Sequence, residues 1–221
     1  MRPAPQAVLF DLDGTLIDSA PDLAGAGNEL RAARGLAPLP YEAFRPMVGS
    51  GARGMVGIAL SVGPADAAFI ALRDEFLQCY EARMTRETKI FDDIPPLLDE
   101  LRTRNVPWGI VTNKAARFAQ PVVHALGLDR QSAVLICGDT TPHSKPHPEP
   151  LLEGARQLGV EPGACIYVGD DLRDVQAGRA ASMGTVIAAW GYLGLGDAVE
   201  AWGADAIIRA PGELLKLWAM A

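Results

Sequence analysis

Short apolar runs that end abruptly in a polar residue recur along this chain. Ala7-Val8-Leu9-Phe10 ends in Asp11, and Pro107-Trp108-Gly109-Ile110-Val111 ends in Thr112-Asn113. Ala133-Val134-Leu135-Ile136-Cys137 ends in Gly138-Asp139, and Cys165-Ile166-Tyr167-Val168 ends in Gly169-Asp170. Thr185 to Ala189 and Ala206 to Ile208 repeat the pattern. Continuous rather than alternating apolar runs of this length predict strands buried on both faces. Between them lie segments of helical periodicity: Pro95 to Arg104, Ala115 to Leu126, Glu149 to Leu158 and Leu172 to Met183, the last three each followed by glycine. Strand alternating with helix predicts an α/β fold with a doubly wound parallel sheet. Right-handed crossovers then bring every strand C-terminus, and with them Asp11, Thr112 and Asp170, to the one edge where such sheets bind ligands.

Residues 16–88 break this alternation. Pro21 to Arg34 and Tyr41 to Met47 read as helices, and Ala65 to Arg83 as a longer one with Phe69, Leu72, Phe76 and Tyr80 on one face. The glycine-rich stretch Val48-Gly49-Ser50-Gly51-Ala52-Arg53-Gly54 lies between them. The expected organisation is an α/β core of residues 1–15 and 89–221 with an all-helical module, 16–88, inserted after the first strand.

The bulk properties narrow the function. At 221 residues the chain has length for one domain, or one domain and a small insertion. Its formal net charge is -7 and no Lys/Arg-rich run stands out, which argues against nucleic acid or an anionic membrane as partner. Three scattered cysteines, Cys79, Cys137 and Cys165, give neither a disulfide framework nor a zinc spacing. No signal peptide or membrane-length apolar run is evident, so the expected location is the cytoplasm. His143 and His147 read as loop residues, and Trp108, Trp190, Trp202 and Trp218 as core or core rim.

Asp11-Leu12-Asp13-Gly14-Thr15-Leu16 is the most informative stretch. Alternate residues of an extended chain point the same way, so Asp11 and Asp13 can converge. Two carboxylates so close repel unless a cation intervenes, and an Asp carboxylate is a competent nucleophile toward phosphorus. Turn-forming acids are the competing explanation. Thr112 offers a hydroxyl at a strand end, suited to a phosphate oxygen. Lys145, in the proline-rich loop Pro142 to Pro150, offers a point charge for phosphate or clustered acids. Gly169-Asp170-Asp171-Leu172-Arg173-Asp174 puts three acids in five positions where a strand gives way to a helix. Helix capping explains one of them well; oxygen ligation of magnesium explains the group better.

The order and spacing of these four elements resemble the haloacid dehalogenase-like superfamily of phosphatases, along essentially the whole chain and including a helical cap after the first motif. The resemblance implies a Rossmann-like core, Mg2+ as cofactor and a small phosphorylated metabolite as substrate. It makes Asp11 the nucleophile and a metal ligand. Asp13 becomes the general acid/base and offers its backbone carbonyl to the metal. Thr112 and Asn113 contact the phosphoryl group, Lys145 balances its charge, and Asp170 and Asp174 complete the metal site. Val48 to Gly51 and Ser144-Lys145-Pro146-His147-Pro148-Glu149-Pro150 look like phosphoglycolate phosphatases, some of whose relatives act on N-acetylmuramic acid 6-phosphate. A carboxylated substrate is therefore expected, with Gly49, Arg45 and Arg53 of the cap as substrate-binding residues. A sugar-phosphate mutase shares all four motifs; a dehalogenase has no use for an acid at Asp13. A non-enzymatic interaction protein has no need of all four acidic and basic groups. The chain is expected to be a monomer or homodimer.

Overall fold

The structure, a computed structural model, describes residues 4–219. Residues 1–3 and 220–221, at the outer ends of the expected core segments, lie outside it. The chain begins with β1 (Ala7–Phe10) and β2 (Ile17–Asp18), followed by four helices: α1 (Ala20–Ala32), α2 (Tyr41–Phe44), α3 (Gly51–Leu60) and α4 (Phe69–Glu81). It returns through β3 (Lys89–Ile90) to α5 (Ile94–Thr103), β4 (Trp108–Val111), α6 (Ala116–Ala125) and β5 (Val134–Ile136). The remainder is α7 (Glu149–Leu158), β6 (Cys165–Gly169), α8 (Leu172–Ala180), β7 (Gly184–Ala188), β8 (Ala206–Ile208) and α9 (Lys216–Ala219).

Six strands form a parallel sheet in the order β5-β4-β1-β6-β7-β8. This is the doubly wound α/β core that the apolar runs predict. All four residues of β1 are buried, and the alternation of a strand divides them between two helical layers. Val8 and Phe10 join a cluster with Leu97 and Leu101 of α5 and Val122 of α6. Ala7 and Leu9 face the other way, onto Leu151 and Ala155 of α7. A side chain such as Leu9, with no exposed surface, is worth about 2–5 kcal/mol against truncation to alanine. Trp108 and Trp202 are buried and Trp190 is half-buried; the Trp218 side chain lies outside the described residues. Cys137 and Cys165 are buried free thiols.

The helices between β2 and β3 pack on one another, α1 against α3 and α4. Phe69, Phe76 and Tyr80 of α4 are buried and Leu72 is half-buried. The two chain crossings into this helical segment pair with each other, Ile17 with Ile90 and Asp18 with Lys89, as a short antiparallel ribbon. Asp22, fully buried on α1, fastens the return crossing. Its Oδ2 accepts the Glu87 N–H at 3.0 Å, the Thr88 N–H at 2.8 Å and the Thr88 hydroxyl at 2.8 Å. Two-residue strands carry too little pattern to be read from sequence.

The glycine-rich stretch differs from its expectation. Residues Arg45–Ser50 form a 3-10 turn, and Gly51 opens α3 with φ +59°. Glycines lower helix propensity, which hides α3 in the sequence. Their use is close packing: a Cβ on Gly54 would stand 2.9 Å from the Met47 carbonyl oxygen.

Candidate active site

Asp11, Thr112 and Asp170 follow the C-terminal ends of β1, β4 and β6, three adjacent strands. Lys145 enters from the loop between β5 and α7, and Asp174 from the first turn of α8. Lys145 Nζ lies 2.8 Å from Asp11 Oδ1 and 2.8 Å from Asp174 Oδ1. It also donates to the Val111 carbonyl at 3.1 Å and the Tyr167 hydroxyl at 2.7 Å. Burial alone would lower its pKa, but Asp11 and Asp174 outweigh that and hold it above the ordinary lysine value. A buried cation with this many oxygen partners is a fixed positive charge.

The acids are crowded. Burial, with Asp174 and Asp13 adding to it and Lys145 opposing, pushes the Asp11 carboxyl up to about 7. Burial and the charges of Asp11 and Asp174 raise Asp170 well above the usual carboxylate range. Carboxylate oxygens of Asp11, Asp170 and Asp174 lie within 4.8 Å of one another. An all-oxygen set of mutually repelling carboxylates fits a hard divalent cation such as magnesium. Asp170 is aimed by the Thr15 hydroxyl at 2.9 Å and the Tyr192 N–H at 2.7 Å. Gly14 makes room for it: φ is +86°, and an added Cβ would stand 2.2 Å from Asp170 Oδ2. Asp171 caps α8 by accepting the Arg173 N–H, and Asp174 accepts the Asp171 N–H at 3.0 Å. Capping and clustering thus coexist in one motif.

Asp13 stands apart from that trio. Lys114 Nζ reaches both its oxygens, at 2.9 and 3.2 Å, and the Ser19 hydroxyl donates to it at 2.5 Å. Burial would lower the Lys114 pKa, but Asp13 and Tyr80 hold it above the ordinary value. Thr112 is buried, and its hydroxyl accepts the Lys114 N–H at 3.1 Å.

The four expected substrate contacts fare differently. The Asn113 side chain is spent on the Lys145 backbone, donating to its carbonyl and accepting its N–H, both at 2.9 Å. Its amide holds the Lys145 loop, and the residue lines the cavity beside Thr112. Arg45 donates to the carbonyls of Trp190 (3.2 Å) and Gly191 (3.0 Å) and lies over the Tyr192 ring. Arg53 is exposed on α3. Neither arginine lines the cavity above the acids, so the expected carboxylate contact from them is not in place. Gly49 does line it, and its carbonyl accepts a hydrogen bond from Arg173. Sequence reasoning passed over Lys114, Tyr167 and Tyr192. Lys114 directly follows Thr112-Asn113, so its adjacency to a strand-end motif was an available signal. The tyrosines act across more than 20 residues of sequence, with no local mark. His143 and His147 stack 4.2 Å apart near Glu149, on exposed loop.

The cavity, about 380 Å³, runs from Asp11, Asp13, Lys145 and Asp170 up to Val48, Gly49, Phe76 and Tyr80 of the helical segment. With this geometry in view, likeness to other proteins is specific. Residues 5–182 match the family model of the haloacid dehalogenase-like hydrolases. The chain is 42% identical to N-acetylmuramic acid 6-phosphate phosphatase of Pseudomonas putida, over 96% of this chain and 95% of that one. It is 45% identical to phosphoglycolate phosphatase of Xanthomonas campestris, over 95% of each. The crystal structure of a predicted phosphoglycolate phosphatase from Haemophilus somnus superposes with a TM-score of 0.84 at 25% identity, covering 96% of this chain and 97% of that one. Acids crowded at the end of β1 and β6, a buried lysine between them and full-length relatives that are phosphatases agree: this chain is a phosphatase and belongs to the haloacid dehalogenase-like hydrolases.

Proposed function

We propose that the chain is a magnesium-dependent phosphomonoester hydrolase that works through an aspartyl-phosphate on Asp11. The observation that carries this reading is the pairing of Asp11 with Lys145 at 2.8 Å beside an acid trio. Asp11 attacks phosphorus, forming the acyl phosphate as the alcohol departs. Asp13, next but one along the chain, gives its proton to the leaving oxygen and then takes one from the water that cleaves the acyl phosphate. Lys145 and the Thr112 hydroxyl face the phosphoryl oxygens, where charge collects in the transition state. Asp11, Asp170 and Asp174, with the Asp13 carbonyl, would hold magnesium, which neutralises phosphoryl charge when bound. Residues 16–88 serve as a cap over the site formed by 1–15 and 89–221, shielding the acyl phosphate from stray water.

The substrate on this reading is a small carboxylated phosphomonoester. The names of the relatives supply two, 2-phosphoglycolate and N-acetylmuramic acid 6-phosphate. The deciding experiment for mechanism is acid-quenched turnover with radiolabelled phosphomonoester, followed by peptide mapping. Label on the peptide that contains Asp11, dependent on magnesium, is the expected result. Label on another residue, or full hydrolysis in excess chelator, would sink the proposal.

A further inference from the structure

The far end of the cavity is built differently from the acid end. Tyr80, one turn beyond Phe76 on α4, is almost completely buried. Tyr80 lines the cavity, and its buried hydroxyl has no hydrogen-bond partner among the described residues. A buried phenol is normally paired, because an orphaned polar group costs about 1–3 kcal/mol. The Phe118 ring of α6 stands 5.6 Å from the Tyr80 ring. Lys114 Nζ lies 4.7 Å from the centre of the Tyr80 ring, on the side of Asp13. Of the other two cavity cations, Lys145 is enclosed by Asp11 and Asp174, and Arg173 is committed to Asp171 and Gly49. Lys114 is the cavity cation set between the acid end and the aromatic walls, and with three donors it can serve Asp13 and one further anion together.

We infer that Tyr80, Lys114 and Phe118, with Phe76, form a leaving-group subsite for a pyranose-sized phosphomonoester that carries a carboxylate. This rests on Asp11 being the group that receives the phosphoryl. A cavity of about 380 Å³ falls in the range of pockets that enclose whole small-molecule ligands. A two-carbon leaving group adds only a few atoms to the phosphoryl and leaves the aromatic end empty. A sugar ring lays a C–H face on Phe76 and Phe118, brings a hydroxyl or amide to the Tyr80 phenol, and sets its carboxylate against Lys114.

The test uses the full chain with magnesium and four substrates: p-nitrophenyl phosphate, 2-phosphoglycolate, N-acetylmuramic acid 6-phosphate and N-acetylglucosamine 6-phosphate, which lacks the carboxylate. Hydrolysis of the aryl phosphate by the wild type and not by Asp11→Asn checks the parent reading by itself. With that in hand, the wild type should prefer the carboxylated sugar phosphate to 2-phosphoglycolate. Tyr80→Phe should lower the ratio of their kcat/KM values about tenfold, the effect of one lost hydrogen bond to a polar partner. It should not lower the melting temperature of the free enzyme, since no bond inside the protein is removed. Lys114→Met should lower the ratio of carboxylated to carboxylate-free sugar phosphate about tenfold. A wild-type preference for 2-phosphoglycolate, ratios unmoved by either variant, or a destabilised Tyr80→Phe free enzyme would each overturn the subsite.

Discussion

The two ends of the cavity treat their polar groups in opposite ways. At the sheet edge, Lys145 touches Asp11, Asp174, Tyr167 and the Val111 carbonyl, and Asp170 is held by Thr15 and Tyr192. At the helical end, walls of Phe76 and Phe118 surround a phenol with nothing to bond to. The first arrangement suits a partner that never varies: every phosphomonoester brings the same phosphoryl group, so its receptor can be rigid and complete before it arrives. The second suits a partner whose polar atoms complete the site on arrival. On the proposed reading chemistry belongs to the ends of the strands and selectivity to the helices above them, and each assignment can be broken separately.

The largest break is at Asp11. Asp11→Asn keeps the shape, removes the proposed nucleophile, and should lower kcat by about 10⁴-fold or more on every substrate alike. Steady-state rates on the aryl phosphate and a sugar phosphate read this directly. A variant that keeps a substantial rate on either would detach Asp11 from the chemistry. Lys145→Met should follow in size, through stability as well as rate. It leaves Asp11 and Asp174 without their cation, a loss on the order of 3–5 kcal/mol, measured by urea unfolding in chelator. Addition of magnesium should return part of it, and a stability equal to wild type without metal would show that the lysine does not balance the cluster.

The core half of this comparison is legible in the sequence because it is written in short-range pattern. Four apolar runs and the residues that end them place Asp11, Thr112 and Asp170 on one sheet edge, and the sheet order sets their strands side by side. The cap half is written in long-range packing. The Asp22 anchor at Thr88 joins residues 66 positions apart, and the Tyr80 hydroxyl has no hydrogen-bond partner among the described residues. Nothing in the spacing of Tyr80 distinguishes a core aromatic from a ligand contact. Asn113 shows the converse: its position beside Thr112 was plain, but its use, clamping the Lys145 backbone, depends on a loop 32 residues away.

A smaller effect separates the acid cluster by pH. Folding raises the Asp11 carboxyl to about 7 and raises Asp170 also, both chiefly through burial. The folded, metal-free protein therefore binds these protons more tightly than the unfolded chain. Their contribution favours the fold at low pH and is lost as pH rises from about 4, where an unfolded carboxyl titrates, through about 7. Melting of the metal-free protein should fall across that window more steeply for wild type than for Asp170→Asn. The difference should amount to roughly 2–4 °C for each kcal/mol of repulsion relieved. Saturating magnesium should flatten the wild-type curve. Parallel slopes for the two proteins would mean that Asp11 and Asp170 do not repel as the geometry requires.

The smallest effects distinguish two arginines that look equivalent in sequence, since each flanks the glycine-rich stretch. Arg53 is exposed and does not line the cavity, so Arg53→Ala should change neither stability nor kcat/KM by more than about 0.5 kcal/mol. Arg45 instead ties the helical segment to the loop after β7 through the carbonyls of Trp190 and Gly191. That loop is the one whose Tyr192 N–H orients Asp170, and Trp190 donates its indole N–H to the Thr15 carbonyl at 3.1 Å. Removing the guanidinium loosens the setting of Asp170, an acid of the proposed magnesium site, without touching the leaving group. Arg45→Ala should therefore lower kcat several-fold, about 1 kcal/mol, on carboxylated, neutral and aryl substrates by the same factor. A loss confined to carboxylated substrates would instead move Arg45 into the leaving-group subsite. It would show that this side chain leaves its two carbonyls to meet substrate, and the division between a fixed edge and a receptive cap would then run on the other side of Arg45.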